Sequence, residues 1–211
     1  MILLCSIYTW YHDSLNLQEQ ASIAAILDSK DLKQLEKLQH PDAKSAFLCG
    51  RWLLRNVLTK HSGNSAGLKV QDWHFEYLKN GKPVLAPSLD LTHLHFSLSH
   101  TKNCMAVAIS SLPLGIDIEW MDPNFNFTQV AQDFFSPSIQ AELAESNEPR
   151  KLFYERWTAY EARFKLSGER TSAQNSSLVQ KTWLLRNSFQ LTVVASDAGA
   201  SFEIFDFVTK P

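Results

Sequence analysis

Cysteine is scarce: the chain has three, Cys5, Cys49 and Cys104, in 211 residues. They are odd in number and far apart, with no C-x-x-C pair, which argues against a disulfide framework or a structural zinc site and fits a reducing cytoplasm. Positive charge is not in surplus either, since 20 Lys and Arg stand against 22 Asp and Glu, a formal net charge of -2. Wrapping nucleic acid non-specifically needs a large basic surplus to release counterions, so no nucleic-acid partner is expected and any anion binding must be local. The N-terminal "MILLCSIYTW" has no basic n-region and its apolar run ends at Cys5, so it is neither a signal peptide nor a membrane span and reads as a first strand. No membrane partner is expected.

What is present is core material. Hydrophobic residues make up 45% and aromatics 11%, with 13 Phe and 6 Trp, enough for one large domain or two halves of roughly 100 residues each. Apolar residues from Gln18 to Leu38 recur at helical spacing with an acid-rich break at Asp28 to Asp31, which predicts two short helices. A third runs from Asp42, as N-cap, to His61, with Gly63 as its stop. Strand-like pieces follow: "WHFEYL", the turn "KNGKP", "HLHFSLSH", "CMAVAIS" and "LGIDIEW". Ser136-Pro137 reads as a cap and first helical position, "EPRKLFYERWTAYEARFKLSG" as a longer helix closed by Gly168, and the remainder as strands. Helix then strands, twice, predicts an α+β chain of two similar lobes, each with a helix on a small antiparallel sheet, residues 1–112 and 113–211.

Four features could carry chemistry. In "LGIDIEW" Asp117 and Glu119 alternate with Ile116 and Ile118, so both carboxylates share one strand face. Adjacent anions repel and resist burial unless a cation lies between them, and a hard divalent ion such as Mg2+, or Mn2+, would serve; solvated acids on an edge strand are the alternative. On the long helix Phe153, Trp157, Tyr160 and Phe164 form an apolar stripe with Glu161 and Lys165 at its edge, either an opening with an acid and a base or an ordinary i,i+4 ion pair. "FSLSH" offers hydroxyls, backbone N–H groups and His100, which suit phosphate oxygens; with His93 and His95 it matches no common zinc spacing. Lys30, Lys33, Lys37 and the turn residue Lys82 complete the basic set.

Taken in order, "GKP", "FSLSH", "GIDIE" and "WTAYEARFKLSG" resemble the 4'-phosphopantetheinyl transferases of the two-lobed, pseudo-dimeric type. The resemblance implies transfer of the phosphopantetheine arm of coenzyme A to a serine of an apo acyl or peptidyl carrier protein; the cysteine usage points to the cytoplasm, and two fused lobes that build one site point to a monomer. It implies Asp117, Glu119 and Glu161 as ligands of Mg2+, Glu161 as base and Lys165 as a phosphate-stabilising cation. Ser99, His100, Lys82, Lys30 and Lys33 are implied as coenzyme A contacts, the last two at the 3'-phosphate. Arg51 and Arg55 in "GRWLLR" are read as structural, and Arg163 and Arg170 as facing the carrier. One departure stands out: Tyr160 occupies the place where the family usually carries lysine. A Mg2+-dependent phosphodiesterase and a non-catalytic module that binds coenzyme A or a carrier protein are the rival readings.

Overall fold

The computed structural model describes residues 3–12, 15–62, 67–79, 81–168, 178–197, 199–208 and 211. Strand β1 (Leu3–Tyr11) leads into α1 (Leu17–Ala24), α2 (Ser29–Lys37) and the long α3 (Pro41–Ser62). Then come β2 (Phe75–Tyr77), β3 (Pro83–Leu85), β4 (His95–Thr101), β5 (Cys104–Ser110) and β6 (Leu114–Trp120). Helices α4 (Thr128–Phe134), α5 (Pro137–Glu145) and α6 (Pro149–Ser167) precede β7 (Val179–Leu185), β8 (Phe189–Ala195) and β9 (Ala200–Asp206). The α+β class is as expected.

Local chemistry accounts for most boundaries. The acid-rich break is a cap: the Asp28 carboxylate accepts from the N–H groups of Lys30 and Asp31 and starts α2. Asn16 and Glu19 make a reciprocal capping box at α1, and Ser136 caps α5 with Pro137 behind it. Gly168 ends α6 at φ 76°, a left-handed conformation that glycine adopts without strain. Asp42 is not a cap: Pro41 already begins α3, since proline has no N–H to leave unsatisfied there, and Asp42 falls in the first turn. Gly63 lies outside the described residues. Helix α4 was not anticipated; it buries only Ala131, too little for a periodic pattern.

The sheets run β4-β5-β1-β9, β2-β3 and β6-β8-β7. All pairings are antiparallel except β1 with β9, which is parallel, so the four-stranded sheet is mixed and its edge strand comes from the far end of the chain. Helix α3 covers one face of that sheet, with Trp10, Trp52, Leu54, Phe96 and Val107 in one cluster. The opposite face, carrying Cys5, Ile7, Ala106 and Ala108, meets Ile116, Ile118, Leu191 and Val193 of the three-stranded sheet. Helix α6 packs on the other side of β6 and β8.

Candidate active site

The site forms where β4 and β6 run side by side without pairing as a sheet. The face of β4 bearing Ser97, Ser99 and Thr101 supplies hydroxyls to β6. Ser97 Oγ accepts from the Ile116 N–H at 3.2 Å, and Thr101 Oγ1 accepts from the Trp120 N–H at 3.1 Å, so two amides on the exposed edge of β6 are satisfied. Between them Ser99 Oγ donates to Asp117 Oδ1 at 2.8 Å, and Thr101 Oγ1 donates to Glu119 Oε2 at 3.0 Å. The hydroxyl ladder S-x-S-x-T opposite D-x-E is legible in the sequence as two period-2 patterns, yet Thr101 escaped the sequence reading because it lies just past "FSLSH".

The strand geometry is as the alternation predicts. Ile116 and Ile118 are fully buried in the core, while Asp117, 4% exposed, and the half-buried Glu119 face α6. Gly115 brings that helix close: a Cβ there would stand 1.9 Å from Ala162 O and 2.8 Å from Leu166 N. No other residue fits at that point. The close approach places Lys165 Nζ 2.7 Å from Asp117 Oδ1 and 2.8 Å from Ser99 Oγ.

Charge is unbalanced here. Burial, and then the neighbouring Asp117 carboxylate, push the Glu119 carboxyl up to about 7, against hydrogen bonds from Thr101 and Trp157 that lower it. Asp117 Oδ2 is buried with no hydrogen-bond partner. An orphaned carboxylate oxygen beside a second carboxylate is the donor set a hard divalent cation takes, so the residues fit Mg2+. Among the described residues no three His, Cys, Asp or Glu side chains are gathered as a metal-binding group, and Glu161 stands half-buried on α6.

The aromatic stripe of α6 differs in part from the expectation. Phe153, Trp157 and Tyr160 do stack in a ladder, with centroids 6.2 and 5.8 Å apart and Phe134 of α4 edge-on to the last two. Phe164 instead lines a cavity with Lys165. Thr158 and Ala162 face the sheet instead: Thr158 shares a 2.7 Å hydrogen bond with Thr192 of β8, and Ala162 lies against Gly115 of β6. Large aromatics dominated the sequence pattern, whereas close packing on a strand needs small side chains.

That cavity, about 350 Å³, is lined by Gly81, Lys82, Pro83, Ser97, Phe164 and Lys165 among others, and reaches Arg51. The structure therefore brings the "GKP" turn, the "FSLSH" strand and α6 together. Lys82 Nζ donates to the Lys165 carbonyl, and burial followed by the charge of Lys165 lowers its pKa. Ser99 and His100, adjacent in sequence, face opposite sides of β4: Ser99 meets Asp117, while the exposed His100 lines a groove with Phe47, Arg51 and Leu98. Lys30 is ion-paired with Glu76 of β2, and Lys33 is exposed on α2; neither lines the cavity or the groove. Arg163 is half-buried and donates to Gln180, and Arg170 lies outside the described residues.

Residues 113–205 match the sequence model of the 4'-phosphopantetheinyl transferase superfamily. The chain is 31% identical over 151 residues to the 4'-phosphopantetheinyl transferase HetI of Nostoc sp., covering 70% of this chain and 62% of that protein. It is 27% identical over 166 residues to the transferase Sfp of Bacillus subtilis, covering 77% and 70%, and 34% identical over 128 residues to AcpT of Salmonella typhi, covering 59% of each.

Proposed function

We propose, on the premise that residues 113–205 belong to the 4'-phosphopantetheinyl transferase superfamily, that this chain moves the 4'-phosphopantetheine group of coenzyme A onto a serine of an apo acyl or peptidyl carrier protein. The serine oxygen bonds to the phosphorus that bears pantetheine, the pyrophosphate P–O bond breaks, and adenosine 3',5'-bisphosphate leaves. The observation that carries the reading is Asp117: one oxygen is fixed by Lys165 and Ser99, the other is buried without a partner, and Glu119 lies on the same strand face.

Asp117 and Glu119, with Glu161 from α6, would hold Mg2+ or Mn2+, which when bound supplies charge neutralisation at the phosphates. Lys165 and Lys82, both lining the cavity, hold negative charge that grows on the leaving group. Glu161 takes the proton from the carrier serine. Both lobes of the site come from one chain, which supports a monomer, and all three cysteines are free thiols, which supports the cytoplasm. Among the described residues no helix is long and apolar enough to cross a membrane.

The test is intact-mass spectrometry of an apo carrier protein incubated with the chain, coenzyme A and Mg2+, beside Asp117→Ala. A mass gain of one phosphopantetheine unit that the variant loses is the expected result. No gain with several carriers, while coenzyme A still binds, would instead point to the non-catalytic module, with Tyr160 in the usual lysine position as its mark.

A further inference from the structure

Of the three hydroxyls that β4 turns toward β6, the last has the most specific surroundings. The β4–β5 hairpin fixes where it stands. Thr101 is the last rung of the ladder, paired with Cys104; Lys102 turns the chain at a left-handed φ of 48°, and the Asn103 carbonyl accepts from the His12 N–H at 2.9 Å. A β-branched side chain is restricted at χ1, so the hydroxyl is aimed by the backbone that carries it. It has two partners. Its oxygen accepts from the Trp120 N–H at 3.1 Å, and its proton goes to Glu119 Oε2 at 3.0 Å. Ser97 answers the Ile116 N–H at 3.2 Å, so the edge of β6 asks only for an acceptor. Thr101 supplies that and places its proton on a carboxylate besides.

The two acids of the site are held differently. Asp117 is gripped by the Lys165 ammonium at 2.7 Å as well as by Ser99 at 2.8 Å. Glu119 is one methylene longer and half-buried, and the donors on its carboxylate are uncharged: the Thr101 hydroxyl from β4 and the Trp157 indole from α6. The longer side chain has a further rotatable bond to fix, and a ligand that the metal itself must order binds it more weakly than one already in place. A carboxylate oxygen has two lone pairs, so Oε2 can accept from Thr101 and still face a cation. We infer that Thr101 is a positioning residue of the candidate metal site, its hydroxyl fixing the Glu119 carboxylate as a ligand for a divalent cation shared with Asp117. The inference rests on the Mg2+ reading above and adds the residue that orients one of its ligands.

The experiment is titration of the purified chain with Mn2+ alone, the free metal being read by electron paramagnetic resonance. The wild type is compared with Thr101→Val, which keeps the shape and loses the hydroxyl. Thr101→Val is expected to bind about 10-fold more weakly, the lower end of the effect of losing a partner behind a metal ligand, because Trp157 still holds Glu119. Thr101→Ser restores the affinity. In a Glu119→Ala background, titrated to higher metal concentration, the same Thr101→Val change makes no further difference, since no ligand is left to orient. A role confined to the strand edge would lower thermal stability in both backgrounds and leave Mn2+ affinity alone. Should Thr101→Val fail to fold, Thr101→Ala removes the same hydroxyl without placing a methyl there and is read in the same way. Unchanged Mn2+ affinity in the folded variant, a loss that Thr101→Ser does not restore, or an equal loss in the Glu119→Ala background would overturn the inference. A wild-type chain that takes up no Mn2+, with or without coenzyme A, overturns the metal reading itself and this inference with it.

Discussion

Asp31 and Asp117 are both buried acids gripped by a basic side chain from a long helix, yet their surroundings err in opposite directions. Around Asp31 one carboxylate faces two guanidiniums, whereas around Lys165 one ammonium serves Asp117 with Glu119 on the same strand face. The first cluster is centred on guanidiniums, with Asp28 a further acid near Arg55, the second is centred on carboxylates, with Lys82 a further cation near Lys165, and both border one cavity through Arg51 and Lys165. A fold that needed ion pairs only for stability would balance each. Opposite biases on the two sides of a cavity would suit the proposed function, in which an anionic substrate and a divalent cation meet there.

The sharpest way to break the comparison is to remove the acid of the first cluster. Asp31→Asn takes from two buried guanidiniums the carboxylate they share and should lower stability by about 3–5 kcal/mol, read by urea unfolding. Adding Arg55→Met to the same variant should recover most of it. A loss below about 1 kcal/mol in the single variant would mean that the cluster does not depend on its carboxylate.

Next in size is the helix contact that assembles the second cluster. Gly115→Ala drives a methyl into the backbone of α6 and should cost about 3 kcal/mol, the upper end of overpacking. Transfer should fall by more than the loss of folded protein explains, because Lys165 moves away from Asp117. Unchanged thermal stability would show that α6 is free to shift.

The smallest effect concerns Glu119 in metal-free buffer. Its folded pKa is raised to about 7 from 4.5, so the stability is fully present below pH 4.5, where both states are protonated. It is lost as pH rises toward 7, because the unfolded chain releases its proton first. Glu119→Gln removes that dependence, so its advantage over wild type should grow by roughly 1–2 kcal/mol between pH 5 and pH 8, after allowance for solvent screening. A constant difference across that range would contradict the charge crowding.

Much of this was legible in the sequence where one side chain's role is set by its neighbours in the chain. The alternation of Ile116, Asp117, Ile118 and Glu119, the Ser136-Pro137 cap and the Gly168 stop are local patterns, and each is realised. The aromatic residues of α6 were only partly placed, because periodicity weights bulk and cannot see that Gly115 demands small partners across the contact. Thr101 was passed over, and the pairing of Arg51 with a buried acid was not foreseen, for another reason. Their partners, Glu119 and Asp31, lie 18 and 20 residues away, and no periodicity links them. Ser99 and His100 show the converse, since adjacency in a strand guarantees opposite faces.

The parallel seating of β9 against β1 has a consequence for how the chain reaches this state. Leu3 pairs with Ala200, so β1 must wait for residues 200–206 before its second neighbour exists. Contacts that far apart in sequence are slow to form, and during synthesis the open edge of β1 is a surface on which another strand could settle. Completion of the four-stranded sheet therefore reports that residues 200–206 have been made and have folded back, so a chain interrupted before them would carry that sheet without its fourth strand.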